Sequence, residues 1–199
     1  MKMYNFEQGS EEWKAIRVGK LTASDFHILM GDSKTKKTTL LKKAAERIVG
    51  TLSDASGFTS IHTERGKELE VEAREFYSIL STNEVEEVGF IEANEFLGCS
   101  PDGLIGEDGG LEIKCKDNHN HLFAVMNNYI EPSHRTQCQF NMYITGRKWW
   151  DYFLYNKNFA NPGHIIRIER DDDYINRIVV AIEGCNIKIE EHIKKYKAI

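Results

Sequence analysis

The spacing of apolar residues divides the chain into a helical first part and a second part that is richer in strands. Up to residue 83, apolar residues recur every three or four positions, the period of a helix with one buried face. In "TERGKELEVEAREFYSIL", Leu69, Ala73 and Phe76 share such a face. "TLLKKAAERIVG" predicts a helix that ends at Gly50, and "SEEWKAIRVGKLTASDFHILM" predicts two short helices joined by a turn at Gly19.

After residue 83 the period shortens to that of strands. Five segments combine alternation with β-branched or aromatic residues: "EVEEVGFIEA", "FLGCSPDG", "GLEIKCK", "WWDYFLYN" and "HIIRIER". Helical spacing returns in "PSHRTQCQFNMYIT" and in the tail from Tyr174 to Tyr196. This order predicts an α/β fold with a central mixed β-sheet flanked by helices. A chain of 199 residues suits one sizeable core, so we expect a single domain over residues 1–199.

Composition excludes several classes of protein. No apolar run approaches the roughly 18 residues of a membrane span, and the first residues lack the apolar centre of a secretory signal. The four cysteines form no CxxC pair, which argues against a disulfide framework and against a zinc site. We therefore expect a soluble cytoplasmic protein that does not contact a membrane.

The charges are segregated along the chain, although the net charge is only −5. Basic residues gather at Lys34, Lys36, Lys37, Lys42 and Lys43 and again at Arg147 and Lys148, whereas acids gather in "NEVEEVGFIEANE" and "ERDDD". A local basic track of this kind suits a phosphate backbone. The same lysine spacing also fits a solvated helix face, and both interpretations stay open.

The stretch "SPDGLIGEDGGLEIKCK" carries the strongest chemical signal in the chain. Residues two apart in a strand point to the same face, so Glu112 and Lys114 project together while the apolar residues beside them face the core. Asp102 lies on a Pro-Asp-Gly turn, and a hairpin at residues 106–110 would return the chain beside it. Burying these groups unpaired costs several kcal/mol per ion, and a divalent cation would offset that cost.

A hard cation such as Mg²⁺ prefers oxygen ligands, and one or two carboxylates together with a substrate phosphate are enough to hold it. Asp102 and Glu112 would supply carboxylates, and the backbone carbonyl of Ile113 a third oxygen. Lys114 would orient or help deprotonate the attacking water and stabilise charge on the scissile phosphate. This set predicts metal-assisted phosphodiester hydrolysis. The alternative is a structural ion pair between Glu112 and Lys114, with Asp102 as a turn former.

The order of PD, hairpin and ExK resembles the signature of the PD-(D/E)XK nucleases, and this version is similar to that of the phage lambda exonuclease and YqaJ viral recombinase family. Three further blocks resemble the same family in the same order: "EEWKAIRVGKLTASDF", "RGKELEVEAREFY" and "HRTQCQFNMYITGRKWWDYFLYN". Ordered blocks over residues 11–156 are far more specific than PD and ExK alone. The resemblance implies a restriction-endonuclease-like core.

The resemblance also implies roles for residues outside the ExK strand. Glu70 matches a helical acid that approaches the metal, often through water, and Gln137 matches a polar residue near the catalytic centre. Arg17, Ser24 and Ser100 match a pocket for a 5′-phosphate, for which a guanidinium and hydroxyls are suitable donors. From the residues alone, Glu70 is one solvated glutamate among several, Gln137 a helix amide bonded to backbone, Arg17 a surface cation and Ser24 an N-cap.

The resemblance implies a Mg²⁺-dependent 5′-to-3′ exonuclease, with Mn²⁺ able to substitute. It would degrade one strand of linear double-stranded DNA and leave 3′ single-stranded tails for recombination. A ring-shaped homotrimer, a single-strand annealing protein as partner, and a phage or prophage origin in a bacterial host follow from the same likeness. A PD-(D/E)XK endonuclease and a non-catalytic DNA-end-binding module stay open as alternatives.

Two stretches differ from the nuclease motifs with which they can be compared. Where the family has an apolar wedge that helps to split the duplex end, this chain has Ile61, His62 and Thr63, which puts strand separation at that point in doubt. The letters "HNH" at 119–121 lack the framework of the nuclease class of that name, and they predict a flexible loop with two solvated histidines.

Overall fold

A computed structural model of the protein describes residues 1–53 and 61–199, and over 61–68 it describes the backbone alone. The helices are α1 (Glu11–Ile16), α2 (Phe26–Leu29), α3 (Lys34–Val49), α4 (Ile61–Ser81), α5 (Asn118–Asn127), α6 (Pro132–Thr145) and α7 (Asp172–Lys197), with a 3₁₀ turn at Ala23–Asp25. The strands are β1 (Lys2–Tyr4), β2 (Leu21–Thr22), β3 (Phe90–Asn94), β4 (Leu97–Cys99), β5 (Gly103–Ile105), β6 (Gly109–Cys115), β7 (Trp149–Tyr155) and β8 (Gly163–Glu169). Within this described part, no helix has both the length and the apolar character to span a membrane.

The strands form two mixed sheets, which confirms the predicted fold class but corrects the expectation of one central sheet. The first sheet has the order β1-β3-β4-β2, with β2 parallel to β4, and the second has the order β5-β6-β7-β8, with β6 parallel to β7. A bridge between Glu86 and Leu104 connects the segment before β3 to β5. The PD turn therefore lies where the chain passes from the first sheet into the second.

Strand β6 is covered on both faces, as is usual for a strand with a parallel neighbour in the interior of a sheet. Leu111 and Ile113 pack on the α4 side of the second sheet. The opposite face contributes to a core shared with α6, and Glu112 on that face is fully buried beside its register partner Tyr152. The expectation that only the apolar face of this strand meets the core is therefore wrong. Glu112 is a core carboxylate.

Several predicted helices are confirmed in position, and α3 ends where it was predicted to end but begins five residues earlier. Helix α3 begins after Ser33, whose side chain accepts a hydrogen bond from Lys36 N, and it ends at Gly50 in the left-handed region with φ 81°. Helix α7 buries a stripe of isoleucines at helical spacing: Ile175, Ile178, Ile182, Ile189 and Ile193. This stripe packs into the same core as α3 and α6.

The "HNH" stretch forms a helix, so the prediction of a flexible loop there is wrong. Asp117 caps α5 by accepting a hydrogen bond from Asn120 N. His119 is exposed, but His121 is buried with its ring 4.9 Å from that of Phe159. The polar residues at the start of α5 were interpreted as a loop, although they form the first turn of the helix.

Part of the suspected basic track is used for structure. Arg147 donates through Nη1 to the carbonyl oxygens of Ile105, Gly106 and Gly109, so it ties α6 to the β5–β6 hairpin. Lys43 lies 3.3 Å from Glu46 Oε2. Lys34 and Lys37 at the start of α3 stay exposed and remain candidates for contact with phosphates.

Candidate active site

The PD turn delivers Asp102 to the open edge of β6. Strand β5 begins at Gly103, which pairs with Leu111, so β6 runs on past the start of its neighbour. Asp102 Oδ2 lies where a backbone acceptor of a neighbouring strand would lie, and it accepts a 2.6 Å hydrogen bond from Ile113 N. Since the N–H and C=O of a strand residue point to the same side, we expect the Ile113 carbonyl to face this open edge as well.

Glu112 and Lys114 lie together, as their spacing predicted. Lys114 Nζ is 2.5 Å from Glu112 Oε1, and Glu112 is fully buried. The second carboxylate oxygen, Glu112 Oε2, is buried and has no hydrogen-bond partner among the described residues. A buried acceptor without a partner costs free energy, so this oxygen is available to a ligand that can replace its lost hydration.

Glu70 reaches the same place from helix α4, and a residue that the sequence analysis did not identify holds it there. Arg74, one turn further along α4, donates to Glu70 Oε1 at 2.9 Å and to the carbonyl oxygen of Asp102 at 3.0 Å. Its remaining nitrogen lies 2.8 Å from Glu87 Oε1. The i,i+4 spacing of Glu70 and Arg74 was a signal that could have identified the pair.

The three carboxylates, Glu70, Asp102 and Glu112, are called the carboxylate group below, and the pKa of each is raised. Burial is the largest cause for each, and it raises the pKa of Glu70 and of Glu112 to about 7. The charge of Asp102 adds to both of these shifts and Lys114 opposes both, while Arg74 opposes that of Glu70. Burial also raises the pKa of Asp102. Like charges thus accumulate at one edge of the sheet.

Lys114 remains an ammonium group in this environment. Burial alone would lower its pKa, but the charges of Glu112 and Asp102 outweigh burial and raise it. A protonated Lys114 is suited to orienting water and to neutralising charge on a phosphate. Its part in deprotonating the attacking water stays a prediction.

The carboxylate group fits a hard divalent cation in its chemistry. Oxygen ligands, accumulated negative charge and the unpartnered Glu112 Oε2 are what Mg²⁺ or Mn²⁺ would satisfy. Among the side chains that the structure describes, no three His, Cys, Asp or Glu already form a ligand cluster. Glu112 Oε1 is engaged by Lys114 and Asp102 Oδ2 by Ile113, so a cation would use the other oxygens or displace these contacts.

Helix α6 presents Gln137 near this edge and sends Gln139 elsewhere. One turn before Gln137, His134 Nδ1 lies 2.9 Å from the hydroxyl of Tyr152, the register partner of Glu112. Gln139 is bound on the other side, where its amide donates to Glu169 O and accepts from Asp171 N. Gln137 is half-buried. Its catalytic role stays a prediction.

Arg17, Ser100 and Trp13 form a second group, called the Arg17 group below. Arg17 Nη1 lies 3.3 Å from Ser100 Oγ, and its guanidinium carbon lies 4.1 Å from the centre of the Trp13 ring. Trp13 Nε1 donates to the same hydroxyl at 2.9 Å. Burial lowers the pKa of Arg17. A partly desolvated guanidinium beside a hydroxyl is an arrangement that suits a phosphate.

Ser24 lies close to this group in the topology without contacting it. Strand β2 is parallel to β4 with Thr22 opposite Gly98, so Ser24 and Ser100 both follow strands that end at the same edge. Ser24 is exposed, and its hydroxyl lies 3.2 Å from that of Thr22. It does not cap α2, because Asp25 occupies that position, so the N-cap alternative is wrong.

The predicted wedge position cannot be placed in this site. Ile61, His62 and Thr63 lie outside the residues whose side chains the structure describes. The expected lack of an apolar wedge there stays a prediction.

Comparison with known proteins agrees with this geometry. The YqaJ-like viral recombinase domain model matches residues 12–148. An alkaline exonuclease from Laribacter hongkongensis has the same fold with a TM-score of 0.87 and 32% identity, over 95% of this chain and 97% of that one. Its complex with dAMP gives the same values. A phage-related exonuclease from Haemophilus somnus 129PT, at 17% identity, shares the fold with a TM-score of 0.69 over 89% of this chain and 96% of that one. A search of the curated proteins finds no match.

The family match covers well over half of the chain, and the Laribacter exonuclease shares its fold over nearly the full length of both. The resemblance inferred from the four sequence blocks is therefore confirmed, and the fold is that of a nuclease. The chain belongs to the YqaJ-like viral recombinase domain family.

Proposed function

We propose that the protein is a divalent-metal-dependent 5′-to-3′ exonuclease that digests one strand of linear double-stranded DNA and leaves 3′ single-stranded tails. The observation that carries this proposal is the segment Ser100–Asp102. It places a hydroxyl bound to Arg17 two residues from the carboxylate group. A site for a terminal phosphate next to a site for hydrolysis is what an enzyme needs to remove nucleotides from a 5′ end.

Each residue of the site has a distinct task in this proposal. Asp102 and Glu112 would hold Mg²⁺ or Mn²⁺, with the Ile113 carbonyl as a third ligand and Glu70 acting directly or through water. When bound, such a cation polarises the phosphate and lowers the pKa of a coordinated water. Lys114 neutralises charge that develops on the scissile phosphate, and Gln137 contacts the substrate from α6.

The Arg17 group would bind the 5′-phosphate of the strand that is digested. Arg17 supplies charge, while Ser100 and Ser24 supply hydroxyl donors. A mononucleotide is the expected product, and the Laribacter exonuclease forms a complex with dAMP, a ligand of that class. This supports the assignment of the product class.

The direct test uses linear duplex that carries a label on either the 5′ or the 3′ end of one strand. With Mg²⁺ we expect early release of 5′ label as mononucleotide, and with EDTA no release. Early release of the 3′ label would contradict the proposed direction. Digestion that continues in EDTA would contradict the metal requirement.

Covalently closed circular DNA separates the proposal from its alternatives. An enzyme that requires an end leaves the circle intact, whereas a PD-(D/E)XK endonuclease cuts it. A non-catalytic end-binding module would bind linear duplex and digest neither substrate. The presence of Asp102, Glu112 and Lys114 in contact supports an active enzyme over the module.

We further propose a ring-shaped homotrimer that acts with a single-strand annealing protein in the cytoplasm of a bacterial cell carrying a phage or prophage. A ring whose channel carries the basic residues and whose outside carries the acids would reconcile the net charge of −5 with DNA binding. Light scattering under active conditions should give the mass of three chains. The mass of one chain would contradict the ring.

A further inference from the structure

A cavity of about 550 Å³ opens beside the carboxylate group. Glu70, Val71 and Arg74 of helix α4 line one wall, Asp102 lines another, and residues 5–8 close it from the far side. The volume lies within the range of about 300–1,000 Å³ that is usual for small-ligand sites. The cavity therefore adjoins the site of the proposed hydrolysis and has room for a small ligand.

The same cavity is lined by residues that adjoin the Arg17 group. Gly89 and Pro101 line it. Trp13 Nε1 donates to the Gly89 carbonyl at 3.0 Å, and Pro101 joins Ser100 to Asp102 in the chain. The cavity thus adjoins both the group proposed for the terminal phosphate and the group proposed for the scissile phosphate. Since one nucleoside connects two successive phosphates of a strand, the terminal nucleoside has to lie near this cavity.

The chemistry of the walls suits a base better than a phosphate. Phe6, Val71 and Val88 provide apolar surface, and Asn5 provides an amide. The charged groups of the lining are carboxylates, with Arg74 as the guanidinium among them, and Arg74 is already bound to Glu70 and Glu87. An excess of negative charge repels phosphate but not an uncharged base, and aromatic side chains are common platforms for bases.

One glycine, Gly89, allows residues 5–8 to form the far wall of the cavity. A Cβ atom at Gly89 would lie 1.9 Å from the carbonyl oxygen of Phe6, so only glycine allows residues 5–8 to cross the chain at this point. Phe6 is further held by its ring, which stacks on Tyr4 with 5.3 Å between centroids. The wall that carries Phe6 is therefore set by close backbone contact.

We propose that this cavity binds the base of the 5′-terminal nucleotide, and hence the base of the mononucleotide that is released. The inference rests on the proposed function, since it assigns the cavity to the nucleoside between the two phosphate sites. It adds a subsite for the base, lined by Phe6, Val71 and Val88, to a site that otherwise handles phosphates.

The test compares dAMP with deoxyribose 5-phosphate, which has the same sugar and phosphate but no base. Both are measured as inhibitors of linear-duplex digestion and, by calorimetry with Mn²⁺ present, as ligands. Because a base gains affinity by stacking on an aromatic side chain, dAMP should bind roughly fivefold to 100-fold more tightly. Equal binding of the two compounds to the unaltered protein would overturn the proposal without any variant.

Val71→Trp places a large ring in the cavity without changing a carboxylate, and Ile79→Trp is the matched control. Both positions are exposed on helix α4, at 52% and 77%, and Ile79 lies two turns beyond the cavity. We expect Val71→Trp to bring the ratio of the two affinities close to one, and Ile79→Trp to retain the ratio of the unaltered protein. An unchanged ratio in Val71→Trp, with Mn²⁺ binding intact, would overturn the assignment.

The calorimetric comparison also distinguishes failure of this inference from failure of the proposed function. If linear duplex is not digested, the exonuclease proposal fails, yet preferential binding of dAMP would still place a base in the cavity. If duplex is digested from the 5′ end and dAMP has no advantage over deoxyribose 5-phosphate, the base subsite alone is wrong.

Discussion

The carboxylate group and the Arg17 group lie on either side of Pro101, and they bury charge in opposite ways. The first places three acids at one strand edge, and burial raises the pKa of Glu70 and Glu112 to about 7. The second buries one guanidinium among neutral donors, and burial lowers the pKa of Arg17. Each group holds a charge that its surroundings disfavour, so each is prepared for a ligand of opposite sign. One calls for a cation and the other for an anion.

The largest expected effect is the loss of Lys114, whose ammonium group contacts Glu112. Lys114→Ala removes the group that we propose neutralises the scissile phosphate, so digestion of linear duplex should fall by at least about 10²-fold. Binding to the duplex should remain measurable, because the Arg17 group is untouched. Lys188→Ala is the control, since Lys188 is exposed on α7 and pairs with Glu191. Equal digestion by Lys114→Ala and the unaltered protein would show that the chemistry lies elsewhere.

Arg74→Lys keeps the positive charge but cannot keep all three contacts of the guanidinium. Glu70 and the Asp102 turn would then lose their common anchor, so we expect digestion to fall about tenfold and the Mn²⁺ concentration needed for half-maximal rate to rise. The readout is a metal titration of the rate.

Arg167→Lys is the matched control for Arg74. It alters another arginine that binds a carboxylate, Asp151, through two nitrogens, and this pair on β7 and β8 is not part of the carboxylate group. A metal requirement that is unchanged in Arg74→Lys would mean that Arg74 acts only in folding.

Arg17→Ala tests the other side of the comparison. The unaltered protein should digest duplex with a 5′-phosphate faster than duplex with a 5′-hydroxyl. In the variant, the ratio of these two rates should be about tenfold smaller. Mn²⁺ binding should not change, because Arg17 contacts Ser100 and not the acids. If Arg17→Ala slows both substrates equally, the Arg17 group does not recognise the terminal phosphate.

The smallest effect on digestion is expected from pH-dependent stability, which changes the folded fraction rather than the chemistry and comes from the carboxylate group. An acid whose pKa rises on folding binds more protons in the folded state, so stability falls as pH rises from the unfolded pKa to the folded one. For Glu70 and Glu112 this window runs from 4.5 to about 7. A rise of this size corresponds to roughly 3 kcal/mol for one carboxyl group, so the metal-free protein should lose several kcal/mol of stability across the window.

Denaturant unfolding of the metal-free protein at several pH values measures this slope. Glu112→Gln should flatten it, whereas the exposed control Glu191→Gln should not. A stability that rises with pH through the same window, or equal slopes for Glu112→Gln and the unaltered protein, would contradict the shifted pKa of Glu112.

The sequence predicted the centre of the site because its signals are local. The two-residue period of a strand places Glu112 beside Lys114, and a Pro-Asp-Gly turn followed by glycines returns Asp102 to them. Likewise, Gly50 marks the end of α3 because the left-handed conformation there favours glycine.

Features that depend on distant parts of the chain were not predictable in the same way. The division into two sheets depends on which strand edges meet, and nothing local in "FLGCSPDG" indicates that the first sheet ends there. The sequence indicated Arg147 as a candidate for phosphate contact, but it donates to three carbonyl oxygens about 40 residues earlier in the chain. The burial of Glu112 was also not predictable, because the helix that covers its face of the sheet, α6, comes from a distant segment of the chain.

The measurement that tests the central claim most directly is calorimetric titration of the protein with Mn²⁺, beside Glu112→Gln and Asp102→Asn. We predict saturable binding to the unaltered protein and a loss of affinity of at least about tenfold in each variant, because each removes a charged oxygen ligand. Absence of Mn²⁺ binding, or binding that both variants retain in full, would contradict the assignment of a cation site to Glu70, Asp102 and Glu112.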